Sequence, residues 1–333
     1  MELDSTPDYM KPLERLWNCR VPDRQTVLNW GAVTPTWTRG LPASFLQRLG
    51  RLGSDNFFSG IYQSGGFRIG LIRIPTYAPA NQNAALTQFV TELVFMQDNT
   101  DGLIIDQTRN PGGSVAYMHT LLSFVHHYPF RGMAFEVRAT SSWVASFSNS
   151  LEGAKAQGAP PQITVLIENI LNELREANTS NRGLTRPIPL DDITLIRQPA
   201  RDGRGNLLAY SKPLMVLIDE FSASGGDAFA AVIQDSGRGP LFGYRTMGAG
   251  GSVTGWDAGS YSEGFVTMTE SLMNRATDRA ESGPYPVSKY VENVGVHPEI
   301  DYDYMTTDNL MQGGKPFVDA FTEAMVGHIR KNR

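Results

Sequence analysis

The stretch Leu214-Met215-Val216-Leu217-Ile218-Asp219-Glu220-Phe221-Ser222-Ala223-Ser224-Gly225-Gly226-Asp227-Ala228-Phe229 changes character twice. Its first six residues, an apolar run closed by Asp219, have the length and composition of a buried strand, and a helix is expected from Ala228 to Gln234. Between them lies a serine followed by two glycines. A strand-to-helix turn exposes a hydroxyl and sets it beside helix N–H groups that have no intrahelical partner, which suits a nucleophile that must stabilise an oxyanion. Gly225 and Gly226 allow a carbonyl to approach the backbone closely, and Asp227 can complete a capping arrangement. From position alone Ser224 reads first as an N-cap and second as a nucleophile.

Upstream, Phe67 to Ile74 is a strand ended by Pro75, Ala84 to Gln97 carries apolar residues at helical spacing, and Gly102 to Asp106 is a second buried strand. It leads into the turn Asn110-Pro111-Gly112-Gly113 and a helix from Val115 to His126. Strand, helix, strand, helix predicts an α/β layer fold, and the two glycine turns would then face one crevice at the strand ends. Alone, the Pro-Gly-Gly turn reads as a tight turn before it reads as an oxyanion hole. Residues 1–66 read as a flanking segment with one amphipathic piece, Leu41 to Leu52. Residues 136–212 break the rhythm with Ser, Asn, Gly and Pro around one amphipathic helix, Ile163 to Leu174, and read as an insertion. Past the serine turn come a strand opening at Pro240 to Gly243 and a glycine-rich stretch, Thr246 to Ser252.

The composition narrows the function. The chain has 333 residues, 41% hydrophobic and 19% charged, with a formal net charge of −5, and no long Lys/Arg run, so the basic footprint of a nucleic-acid binder is missing. No stretch approaches the roughly 18 apolar residues of a membrane helix, and no basic-then-apolar leader opens the chain. Cys19 is the single cysteine, which excludes an internal disulfide and a Cys-based zinc site.

Five ordered blocks carry a resemblance: Gly102 to Gly113 (GLIIDQTRNPGG), Val216 to Asp227 (VLIDEFSASGGD), Gln234 to Arg238 (QDSGR), Gly243 to Thr246 (GYRT) and Glu292 to Glu299 (ENVGVHPE). Together they resemble the tail-specific, or carboxyl-terminal processing, serine protease superfamily (peptidase family S41), over roughly residues 67 to 325. The best-known branch pairs its serine with a lysine in a Gly-Lys-Gly turn. The corresponding stretch here is Gly248-Ala249-Gly250-Gly251, without that lysine. The turn Arg245 to Gly251 (RTMGAGG), with Arg68 to Ile74 (RIGLIRI), is similar instead to the branch of the chlamydial protease-like activity factor and the tricorn core.

That resemblance implies a crotonase- or Clp-protease-like spiral of β-β-α units, with 1–66 as flank, 67–333 as serine protease core and 136–212 as an inserted lobe that could act as an inhibitory segment. It implies Ser224 as nucleophile, Glu292 as the carboxylate that orients a histidine base, and Gly225 with Gly112 and Gly113 as oxyanion donors. It implies no metal and no cofactor, a peptide or protein substrate lying extended beside a sheet edge, and, as in some members, a homodimer; many members are exported. In this branch the histidine lies upstream, before a PDZ-like module, and nothing corresponding precedes Phe67. The five histidines here (His119, His126, His127, His297, His328) each read first as structural or exposed, with His297 and His119 as the in-chain alternatives for the base. A serine hydroxyl without a base is a poor nucleophile at neutral pH. Two functions from different classes are therefore expected: a serine endopeptidase core whose histidine comes from elsewhere, or a catalytically inactive binding or scaffolding protein on the same fold.

Overall fold

The computed structural model describes residues 29–259, 264–279 and 287–332; residues 1–28 of the flank, Cys19 among them, lie outside the described residues. A 3-10 turn at Thr38–Gly40 precedes β1 (Leu46–Leu49), β2 (Phe58–Ser64) and β3 (Phe67–Arg73), then α1 (Gln82–Asn99), β4 (Gly102–Asp106) and α2 (Val115–Val125). The strands β5 (Phe130–Arg131) and β6 (Ala134–Val137) lead into the lobe, which holds α3 (Ser141–Ala156), α4 (Pro161–Thr179) and β7 (Ile196–Arg197). The chain returns through β8 (Leu214–Ile218), α5 (Gly225–Asp235) and β9 (Leu241–Gly243). It ends with β10 (Val253–Asp257), β11 (Phe265–Thr269), β12 (Ser271–Arg279), β13 (Ser288–Tyr290), β14 (Ile300–Asp301), α6 (Thr307–Met311) and α7 (Lys315–Lys331).

The central sheet is mixed, in the order β1-β2-β3-β4-β8-β9-β14. Its first three strands run antiparallel to one another, and from β3 to β14 every neighbour is parallel. The sheet therefore begins before Phe67: β1 and β2, in the stretch read as flank, form its edge. Gly65 and Gly66 explain the join, since both have positive φ (59° and 84°) between the paired residues Ser64 and Phe67. Those are the dihedrals of the two-residue hairpin turn whose twist matches the strands.

Alternate residues of each central strand enter opposite cores, as the two-residue period of a strand requires. Leu103, Ile105, Leu214, Val216 and Ile218 pack with α1, α2 and α5 on one face. Ile104, Met215, Leu217, Ile69 and Leu71 pack on the other against Trp37 and the α7 residues Phe317, Phe321 and Met325. Burial on both faces is why these strands read as unbroken apolar runs. The protein is thus a three-layered mixed α/β fold.

The lobe holds two helices where the sequence predicted one. In α3 the face Trp143, Val144, Phe147 leans on the main core, but serines dilute its pattern and none of its residues is fully buried. The hydroxyl of Thr140 accepts from the Trp143 amide and starts that helix. The predicted Ile163–Leu174 lies within α4, whose Ile170, Leu171 and Leu174 are buried. The lobe is tied down at its root, where β6 pairs with β12 and β5 with β7. Among the described residues no helix is long and apolar enough to cross a membrane.

Phe317 is 1% exposed and meets the rings of Trp37, Phe242, Tyr302, Tyr304 and Phe321 with centroids 5.2–6.2 Å apart. Replacing it by alanine removes the centre of the second core, so Phe317→Ala is expected to cost about 3–5 kcal/mol, read from the urea unfolding midpoint.

Candidate active site

Strands β4 and β8 are parallel neighbours, with Asp106 opposite Leu217, so the turns that follow them emerge side by side. Backbone and side chains lock the two turns together. The Ala223 amide donates to the Asn110 carbonyl at 2.8 Å, and Gln107 donates from its amide to Leu217 and from Nε2 to Gly226. The Gln107 Oε1 accepts from the Tyr77 hydroxyl at 2.8 Å. Asn110 holds its own turn, accepting from the Gly112 amide and donating from Nδ2 to the Ile74 carbonyl.

Ser224 stands at the N-terminus of α5 with φ 52° and ψ −108°, a conformation rarely adopted by a residue with a side chain. Its hydroxyl makes no cap bond, so it is not spent on the helix, contrary to the plain N-cap reading of the sequence. The helix below it is buried from Gly225 to Gln234. Gly112, at φ 92°, lies flat against it: a Cβ there would sit 2.7 Å from the Ser224 Cβ and 2.6 Å from the Gly225 nitrogen. A Cβ on Gly225 would in turn lie 3.3 Å from the Gly113 nitrogen. Ser224, Gly112, Gly113 and Gly225 thus form one cluster, and among the described residues neither the Gly113 nor the Gly225 amide has a hydrogen-bond acceptor.

Glu292 lies half-buried in the loop after β13, and its Oε1 accepts from the Thr269 hydroxyl at 2.9 Å. It belongs to the same assembly through the glycine turn after β9. The Asn293 amide donates to the Gly248 carbonyl at 2.7 Å, and the Gly248 and Ala249 amides donate to the Asp227 carboxylate at 2.9 and 3.1 Å. Burial pushes the Asp227 carboxyl up to about 6, against bonds from Thr246, Gly248, Ser224 and Ala249 that favour its charge.

The structure does not bring His119 or His297 to this cluster. His119 is buried on α2 with both ring nitrogens occupied: Nε2 accepts from the Met133 amide at 2.9 Å, which leaves the proton on Nδ1, 2.9 Å from Asp191 in the lobe. The His297 carbonyl accepts from Gln234, ten residues along α5 from Ser224 and so roughly 15 Å away at 1.5 Å per residue. His126 bonds Leu122 and Ser236, also beyond the far end of α5, and burial holds it down at about 3. No hydrogen bond joins an imidazole to Ser224 among the described residues. Nor is any group of three His, Cys, Asp or Glu placed there to hold a metal ion.

Beneath the cluster lies a buried polar platform that sequence reading missed. Arg73 Nη1 meets Asp106 at 2.7 Å and the Thr108 carbonyl at 2.8 Å, with both ionic side chains fully buried. Asp219 Oδ1 accepts from the amides of Arg109 and Phe221 and from the Ser222 hydroxyl. Burial raises Asp219 to about 7; the Arg109 amide and guanidinium oppose the rise, while the charges of Glu220 and Asp106 add to it. The folded protein keeps this proton to about pH 7, whereas the unfolded chain releases it near 3.8. Stability from Asp219 is therefore complete below about pH 4 and is lost as pH rises toward 7. Asn at 219 can keep all three acceptor bonds on Oδ1 and has no proton to lose. Asp219→Asn is expected to remove a slope of up to about 1.4 kcal/mol per pH unit from the unfolding free energy between pH 4 and 7, measured by urea titration at each pH.

Comparison with known proteins gives the family and the fold. A protein of Chlamydia pneumoniae is 28% identical over 301 residues, which cover 81% of this chain and 45% of that protein. A protein of Chlamydia trachomatis is 29% identical over 279 residues, covering 76% and 44%. The chain thus spans less than half the length of these relatives. The solved structure of mature CPAF complexed with lactacystin is similar with a TM-score of 0.71 at 24% identity, over 97% of this chain and 62% of that one. The model of peptidase family S41 matches residues 68–300, and the chain belongs to that family, with a CPAF-like fold.

Proposed function

We propose that this chain is the core of a serine endopeptidase in which Ser224 attacks a peptide carbonyl, the Gly225 amide and the Gly112-Gly113 turn stabilise the oxyanion, and Glu292 orients a histidine supplied from outside the chain. The observation that carries this reading is the Ser224 turn itself. The Ser224 hydroxyl makes no cap bond at the end of a buried helix, and its residue clusters with two backbone amides that have no acceptor among the described residues. Acyl transfer would follow: the Ser224 oxygen bonds to the carbonyl carbon, its proton passes to the base and on to the leaving amine, and water releases the acyl group. The two buried imidazoles favour an external base, since His119 serves Asp191 and Met133 while His126 serves Leu122 and Ser236. The same observation supports the second reading, a non-catalytic binding or scaffolding protein.

Labelling with a fluorophosphonate probe, with and without added imidazole, separates the two. The peptidase reading expects the label on Ser224 alone, none in Ser224→Ala, and roughly a tenfold or greater acceleration by free imidazole, well within what a general base contributes. Glu292→Gln should take away most of that acceleration. Labelling that needs no imidazole and vanishes in His119→Ala or His297→Ala would move the base into the chain. A folded chain that never labels would leave the binding protein.

A further inference from the structure

We propose that Asp227 is a positioning residue: from the first turn of α5 it grips the turn 246–249 and so fixes where Glu292 stands relative to Ser224. The functional meaning of this rests on the peptidase reading above; the mechanical claim does not. Asp227 is fully buried and sits three residues after Ser224, where a carboxylate ordinarily returns to the N-cap amide. It does interact with the Ser224 amide, but its two oxygens also accept separately from Gly248 and Ala249, and the Thr246 hydroxyl reaches it as well. Neutral amides paired to an ionised acceptor make some of the stronger bonds a protein interior offers.

The gripped turn has no slack between itself and Glu292. Side chains are absent where it meets the loop: a Cβ on Gly248, already at φ 79°, would lie 3.0 Å from the Gly295 nitrogen and 3.2 Å from the Asn293 carbonyl carbon, and one on Gly250 would run into the backbone of Val291 and Glu292. The Asn293 amide closes the contact on the Gly248 carbonyl. The anchor of the Glu292 side chain rests on the same turn, since Thr269, which donates to Glu292, packs against Gly251, whose added Cβ would lie 2.6 Å from the Thr269 Cγ2. Backbone against backbone transmits a shift directly, so the position of Asp227 is the position of Glu292. One further tie, the Met247 amide on the Ser222 carbonyl at 3.0 Å, joins the same two turns and lies on the Ser224 side of the grip.

Amide hydrogen exchange on the folded chain reads this without any activity. Asp227→Asn keeps the shape but sets an NH2 group against one of the two amides. Exchange is expected to rise about tenfold, the loss of one charge-assisted bond, both at 246–250 and at 291–295, with 229–235 of α5 still protected. If Asp227 is only a helix cap, exchange rises at the start of α5 and 291–295 is unchanged; that result, or no change anywhere, overturns the proposal. Should the variant fail to fold, the unsubstituted chain decides: the amides of Gly248, Ala249 and Asn293 must open with one shared free energy, and independent, faster opening of Asn293 sinks the idea. Ser224 labelling in the same samples keeps the two readings apart. A wild-type chain that stays unlabelled even with added imidazole would remove the peptidase reading, while the exchange pattern would still decide the grip.

Discussion

Gly112 lies against the Ser224 Cβ and the Gly225 amide, and that approach requires glycine at 112 and two parallel strands ending at one level. Pairing of Asp106 with Leu217 supplies the level. The bond from Ala223 to Asn110 and the two from Gln107 hold the turns at contact distance. Any side chain at 112 would be driven into Ser224 and the Gly225 amide, and nothing nearby is soft, because α5 is buried along its length. The rest of the central sheet can be seen as the rigid support this approach demands.

The support is polar where it matters. Arg73, Asp106, Gln107, Asn110, Asp219 and Ser222 are all buried at the roots of the two turns, where Arg73 bonds Asp106, Ser222 bonds Asp219 and the Gln107 carbonyl, and Gln107 and Asn110 bond the backbone of Gly226 and Gly112. A loop at a strand end has backbone groups that no ladder satisfies, and burying it is tolerable only when side chains take over that duty. Such networks specify one geometry, since a half-satisfied arrangement is much worse than the native one. Among the described residues, three of the five non-glycine ones with positive φ, Arg109, Ser224 and Asn293, lie in or beside this assembly.

The strand, turn and helix around Ser224 were legible because β8 is buried on both faces, so that its apolar run is continuous and the glycines mark its end. The same holds for β4 and the Gly112 turn. Strands β10 to β13 were not legible: Ser, Thr, Gly and charged residues interrupt their apolar pattern, β10 and β11 are largely exposed, and these strands find partners in each other or in β6, which lies more than 130 residues before β12. Helix α3 was hidden by its serines. Of the candidate site residues, Ser224 and the glycines are brought together by two local turns whose signals survive in sequence. The engagement of His119 depends on Asp191, 72 residues away, and the burial that holds the proton on Asp219 depends on packing of distant segments, the Arg109 turn 110 residues away among them, so neither leaves a local trace.

The dihedrals of Ser224 have an evolutionary consequence. Holding a residue with a Cβ at φ 52° and ψ −108° costs of order 1–3 kcal/mol, a sizeable fraction of the stability of an ordinary domain. Glycine would occupy the same turn almost without strain. Random substitution filtered by folding alone would therefore drift this position toward glycine, and a lineage that no longer used the hydroxyl would gain stability by discarding it. Selection for the chemistry proposed above for this oxygen would offset that strain and keep the serine.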